Sequence, residues 1–153
     1  MPSIGYKERN NMQVFIIGSI YNTVMALDKK RRHKQWVELQ QIIDAIDGKK
    51  AWKNHPCTIQ YREYKNWLLM YRTVIEYINM DMHEKAKGMS LIAESWRPKW
   101  HCKEYYDSMK SRLYTKDNEH YKQFAHLGES QENMYWSPTE NKFIKYVNGK
   151  RIE

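Results

Sequence analysis

Apolar residues recur every three or four positions through most of the chain, a period typical of amphipathic helices. The clearest series runs from Tyr64 to Ile78 and predicts a helix there. Ser19 can cap an earlier helical series, which continues through Trp36 and stops near Gly48. Weaker series of the same period predict three further helices, over residues 83–95, 104–113 and 118–124.

The two ends of the chain depart from this period. Residues 1–11 are polar and predict an arm, and the apolar run 13–17 predicts a strand or a buried extended segment. From Gly128 onward the chain is polar with scattered aromatic residues, and Asn148-Gly149 marks a turn. The pattern therefore predicts an arm over residues 1–11, then a mostly α-helical, single compact domain over 12–153 with an irregular C-terminal tail.

Composition adds the kind of partner to expect. The apolar share of 41% argues for a folded protein, and 26 Lys and Arg against 18 Asp and Glu leave a formal net charge of +8. Such a charge favours nucleic acid or nucleotides. The chain has no apolar run of membrane-spanning length, so we expect no membrane partner. The two separated cysteines, Cys57 and Cys102, favour a reduced, cytoplasmic setting.

A basic run over residues 29–34 leads into a polar stripe on the predicted helix. At 100° per residue, Gln35 and Glu38 fall within roughly 40° of Arg31, at the edge of the buried face. A partly desolvated carboxylate beside a cation suits acid/base chemistry, and cations around it suit a phosphate backbone. The same spacing also fits an ordinary solvated helix face.

Other polar and aromatic positions are candidates for contacts with a nucleic acid. His55, before the predicted helix start at Pro56, can bind an anion or can simply cap the helix. Trp136 can stack on a base or anchor the tail to the core. Donors suited to phosphate and sugar oxygens cluster in one later segment, at Ser108, Ser111, Arg112, Lys116, His120 and Tyr121.

The chain contains no Gly-rich phosphate loop, no nucleophilic Ser or Cys motif and no His or Cys spacing typical of a metal site. We therefore expect neither a metal nor a cofactor.

Several segments together resemble a known family. They are residues 12–15, 27–31, 34, 35, 38, 52, 54–56, 64, 108, 111, 113, 116, 117, 119–121, 124, 135, 136 and 138. In their order and spacing the chain resembles the pyrimidine-dimer DNA glycosylase/lyases of the phage endonuclease V type. This resemblance implies a compact helical domain, with Glu38 as the acid/base group and Arg31, Lys34, Gln35, Asn54 and His55 among the contacts to substrate or phosphate.

The resemblance also implies an amine nucleophile at the start of the chain. In the family the N-terminal α-amine attacks a sugar carbon, forms a Schiff base, and β-elimination then cuts the strand. Here the start that resembles the family is Met12, and the nitrogen of an internal Gln13 is only an amide. Two sources of an amine are expected: Pro2 after removal of Met1, with the arm folded back, or translation from Met12.

Three functions fit these features. The first is a DNA glycosylase/AP lyase that acts on damaged pyrimidines. The second is a catalytically inactive phage protein of the same fold that binds and sequesters a nucleotide or cyclic nucleotide, as a possible homo-oligomer with closed pockets and in the host cytoplasm if phage-encoded. The third is a structural or regulatory protein that binds nucleic acid without a defined pocket.

Overall fold

The computed structural model describes residues 12–49 and 52–152, and most of them are helical. The α-helices are α1 (Ile20–Ala26), α2 (Lys29–Ile46), α3 (Pro56–Tyr61), α4 (Lys65–Asn79), α5 (His83–Ala93) and α6 (Lys103–Lys116). Two 3₁₀ turns cover Glu94–Trp96 and Lys122–Leu127. Three strands follow, β1 (Asn133–Ser137), β2 (Lys142–Val147) and β3 (Lys150–Ile152). The predicted mostly α-helical fold is confirmed.

The caps explain where the first helices begin. The Ser19 hydroxyl accepts from the backbone N–H of Asn22 at 3.1 Å, so Ser19 caps α1 as predicted. The chain then leaves the helical conformation at Leu27, and the Asp28 carboxylate accepts from the N–H of Arg31 at 3.2 Å. Asp28 is therefore the N-cap of α2, the helix that holds Arg31 and Glu38.

The C-terminal tail is not irregular, in contrast to the prediction. β1, β2 and β3 form an antiparallel sheet in that order, in which Tyr135 pairs with Ile144. Asn148 and Gly149 both have positive φ, 51° and 79°, as a tight hairpin turn between β2 and β3 requires. The buried Tyr135 and Ile144 explain why the tail folds, because they attach the sheet to the helical core.

The run 13–17 is a buried extended segment rather than a strand. Met12, Val14, Phe15 and Ile16 are all at most 3% exposed. Side chains, not a sheet, satisfy its backbone: Tyr71 donates to the carbonyl oxygen of Phe15, and Tyr135 donates to that of Met12 at 2.7 Å. This segment is thereby fixed against α2, α4 and β1.

No helix within residues 12–49 and 52–152 is both long and apolar enough to cross a membrane.

Candidate active site

Glu38 meets the extended segment at the inner side of α2. Its Oε2 accepts a hydrogen bond from the backbone nitrogen of Gln13 at 2.9 Å, and its Oε1 lies 3.7 Å from a guanidinium nitrogen of Arg31. The Glu38 side chain is 16% exposed and that of Arg31 is 13% exposed. The carboxylate is therefore nearly enclosed, with a peptide nitrogen on one side and a cation on the other.

Burial changes the proton affinity of this carboxyl group. Desolvation raises the pKa of Glu38 from 4.5 to about 7, although the N–H of Gln13 and the charges of Arg31, Lys116 and Lys34 act to lower it. At neutral pH the group is thus divided between its acid and its carboxylate form. A group in this state can donate and accept protons, which acid/base catalysis requires.

Three basic side chains act electrostatically on Glu38, Arg31 and Lys34 on α2 and Lys116 at the end of α6. Arg112, also on α6, acts on Lys116. Partial desolvation and the neighbouring charges of Arg31 and Arg112 lower the pKa of Lys116 at the end of α6. The pKa of Arg112 is also lowered, mainly by burial. One carboxylate does not neutralise this cluster, so the arrangement favours an anionic ligand.

Gln35 has a different place from the one predicted. Its side chain is fully buried, its Oε1 accepts from the N–H of Phe15 at 2.7 Å, and its Nε2 donates to the carbonyl oxygen of Gln13 at 3.1 Å. Both ends of the amide are therefore used by the extended segment and are not available to a phosphate. Gln35 instead fixes the backbone on both sides of the nitrogen that contacts Glu38.

Two of the donors predicted on α6 are also bound to backbone. The Ser111 hydroxyl donates to the carbonyl oxygen of Gly128 at 2.8 Å, and Arg112 donates to that of Ser130 at 2.6 Å. Both side chains are buried and hold the chain that leads into β1. The Nε of Arg112 is buried without a partner among the described residues, so one donor remains unused. Ser108 is half-buried, and its role stays a prediction.

Tyr121 and His120 connect the end of α6 with the start of α2. The buried Tyr121 hydroxyl donates to the Asp28 carboxylate and accepts from the Asp28 N–H at 2.9 Å. His120 lies 3.1 Å from the carbonyl oxygen of Ala26 through Nε2. Burial alone would raise the pKa of Asp28, but the bonds from Tyr121 and Arg31 and the nearby His120 lower it. Tyr121 is thus a structural link rather than a free phosphate donor.

Asn54 and His55 directly precede α3, and Trp136 lies in β1. His55 caps α3, since its Nδ1 accepts from the N–H of Cys57 at 3.0 Å. The Trp136 ring is parallel to that of Trp100, with centroids 6.3 Å apart. Asn54 and Trp136 both line a half-open cavity of about 420 Å³. Base stacking by Trp136 stays a prediction, and the exposed Asn54 remains a candidate contact.

One predicted site residue cannot be placed, and one residue near Glu38 was not predicted. Pro2, the predicted source of an amine, lies outside the described residues. Cys57 is fully buried, and its thiol pKa is raised by burial and by Glu38, which indicates that the two groups are near each other. Within the described residues no three His, Cys, Asp or Glu side chains are grouped so that they could hold a metal ion.

Residues 12–79 match a family model described as pyrimidine dimer DNA glycosylase. The match includes the extended segment, Arg31 and Glu38, and it ends before α6. None of the curated proteins matches the chain, and no solved structure does.

Proposed function

We propose that this protein removes damaged pyrimidines from DNA and cleaves the strand through an amine Schiff base, because residues 12–79 match the model of the pyrimidine dimer DNA glycosylase family. The observation that supports the proposal most is the 2.9 Å contact between the Gln13 nitrogen and Glu38. This contact places the acid/base group Glu38 beside the residues at which the match to the family model begins.

In the proposed reaction an amine attacks C1′ of the damaged nucleotide while the bond to the base breaks. Glu38 assists because its pKa of about 7 lets the carboxylate take a proton from the amine and the acid return one to the sugar. The resulting imine makes the C2′ proton acidic, so that β-elimination can follow. The cations Arg31, Lys34 and Lys116 would hold the phosphates on either side of the lesion.

The identity of the amine is a separate question. In the chain as printed, the Gln13 nitrogen is part of a peptide bond and cannot form an imine. In a chain that begins at Met12, the terminal amine would lie one residue before the nitrogen that contacts Glu38. The secondary amine of Pro2 is the other source that the sequence predicts, and it would require the arm to reach Glu38.

A second candidate function is favoured by the same contact. If the nitrogen beside Glu38 is the peptide nitrogen of Gln13, the site has no nucleophilic amine there. The cation cluster can then still bind phosphates. The protein would then bind and sequester a nucleotide or cyclic nucleotide. Loss of the Glu38 charge would leave such binding intact or improve it, whereas it would abolish the enzyme.

Borohydride trapping tests the proposal. The full chain and a chain starting at Met12 are each mixed with duplex DNA that carries an abasic site, reduced, and weighed as intact protein. A covalent adduct that Glu38→Gln loses and the matched Asp44→Asn variant on the same helix retains supports the enzyme. No adduct from either chain, together with nucleotide binding that survives Glu38→Gln, supports sequestration instead.

A further inference from the structure

We propose that the outer face of α5, together with the 3₁₀ turn that follows it, binds a second copy of this chain and makes the protein a two-fold symmetric dimer. This α5 face consists of Gly88, Leu91, Ile92 and Trp96. It lies beyond residues 12–79, which match the family model, and it includes none of the side chains that act on Glu38. The dimer therefore goes beyond the proposed function and does not depend on it.

Exposed apolar side chains are concentrated on the α5 face. Six large apolar side chains are exposed among the described residues, and three of them lie within residues 91–96. Leu91 is 75% exposed, Ile92 54% and Trp96 49%. A single exposed apolar residue is ordinary, but a cluster of them marks a surface that binds another molecule. Tryptophan is moreover enriched among the residues that dominate the energy of protein interfaces.

The helical period sets the shape of this face. The inner face of α5 is defined by its buried residues, Ala86, Ser90 and Ala93. At 100° per residue, Gly88 lies opposite that inner face, with Leu91 and Ile92 on either side of it. The space above Gly88 is open, since a Cβ added there meets nothing within 4 Å. The face thus has a depression at Gly88 next to the protruding side chain of Leu91.

The α5 face is complementary to itself when two copies of α5 pack antiparallel. The midpoint between positions 88 and 91 lies within one residue of the midpoint between positions 87 and 94. A two-fold axis at this point places Leu91 of each copy over Gly88 of the other. Lys87 and Glu94 are about two turns apart and share one flank of the helix, so the same axis brings Lys87 of each copy near Glu94 of the other.

The charges on this flank favour a second copy over DNA or a membrane. Lys87 is exposed and pairs with Glu84 at 3.5 Å. Glu94 is exposed and pairs with Arg97 at 3.4 Å. Acids and bases therefore alternate along the flank, whereas DNA or an anionic membrane surface attracts an excess of bases. A flank with both signs in a two-fold arrangement is matched by its own copy.

Sedimentation equilibrium of the full chain over a range of concentrations tests the proposal. We expect the mass to double, with a Kd in the micromolar range because one helix provides the interface. Leu91→Glu should raise this Kd by at least about tenfold, since a two-fold interface contains each substitution twice. The exposure of Leu91 means that the variant should fold. Ile152→Glu, at an exposed apolar position in β3, is the matched control and should leave the Kd unchanged.

An exchange of charges tests the antiparallel arrangement. Lys87→Glu and Glu94→Lys each bring like charges together across the interface, so each should weaken the dimer. The double variant restores opposite charges at both two-fold related pairs and should return the Kd towards that of the wild type. A double variant that binds itself no more tightly than the single variants would overturn the proposed pairing.

A wild-type chain that stays monomeric at high micromolar concentrations overturns the dimer, and so does a dimer that Leu91→Glu leaves intact. A monomer that binds anionic vesicles or duplex DNA through Leu91 would assign the α5 face to that partner and also overturn the dimer. Each of these results leaves the proposed glycosylase/lyase standing, because incision of damaged DNA is measured separately.

Discussion

The backbone nitrogen of Gln13 and the carboxylate of Glu38, 25 positions apart in the chain, are joined by a partly buried hydrogen bond of 2.9 Å. Gln35, one turn before Glu38 on α2, holds the backbone on both sides of that nitrogen. The acid and the segment it faces are therefore positioned by the same helix. This relationship makes the arrangement of the site sensitive to one buried amide that would not touch substrate.

Replacing Gln35 with leucine tests this role. The variant leaves the N–H of Phe15 and the carbonyl oxygen of Gln13 without partners, and each unsatisfied buried group costs about 1–3 kcal/mol. We expect a lower free energy of unfolding, measured by urea denaturation, and a loss of activity even where the variant is folded. Gln123→Leu, at an exposed position, is the control. Equal stability of the two variants would contradict the role given to Gln35.

The raised pKa of Glu38 predicts a pH-dependent stability. Between pH 4.5 and about 7 the folded state binds more protons at this position than the unfolded state, so ionisation on raising the pH destabilises the fold. Relative to the wild type, the free energy of unfolding of Glu38→Gln should therefore increase by about 1.4 kcal/mol per pH unit through this window. Urea denaturation at several pH values measures it, and a constant difference would refute the raised pKa.

His101 predicts the opposite slope. Burial, with a smaller effect of Arg97, lowers the pKa of His101 from 6.5 to about 3, and its Nε2 lies 2.9 Å from the Tyr61 hydroxyl. The unfolded state binds more protons below pH 6.5, so acid destabilises the fold through this group. His101→Gln should gain stability relative to the wild type by about 1.4 kcal/mol for each pH unit below 6.5. Parallel profiles of the two proteins would show that His101 is not buried as a neutral ring.

The cation cluster predicts how DNA binding responds to salt. Each phosphate contact contributes about 0.9 to the slope of log K against log salt. Arg31→Gln and Lys34→Gln should each reduce the slope by about that amount, as measured by fluorescence anisotropy with duplex DNA. Lys103→Gln, a lysine paired with Asp107 at the other end of α6, should leave the slope unchanged. An unchanged slope in all three variants would exclude the cluster as the phosphate site.

Local patterns are the part of the fold that the sequence predicts well. The series from Tyr64 to Ile78 predicts α4 because its apolar side chains recur at the helical period and all pack on one side. The C-terminal sheet has no such signal, since its strands are short and Lys145 and Lys150 lie among their apolar residues. The turn at Asn148 and Gly149, by contrast, is visible in the sequence.

The sequence predicts only those parts of the candidate site whose residues lie on the same helix. Arg31 and Glu38 follow from spacing on α2, but the same spacing does not reveal that Gln35 bonds to the segment at Gln13. The pairing of Tyr121 with Asp28 joins residues 93 positions apart, which no local pattern encodes. Ser111 likewise has its partner at Gly128, fixed by the path of the chain after α6.

Incision of a duplex with one pyrimidine dimer is the most direct measurement of the central claim. The full chain is incubated at neutral pH with this duplex and with the same duplex undamaged, and the products are separated by length, with Glu38→Gln in parallel. We predict cleavage at the dimer only, slower by about 10²–10⁴-fold in Glu38→Gln because the acid/base group is lost. Binding of the damaged duplex without incision by the wild type would contradict the account.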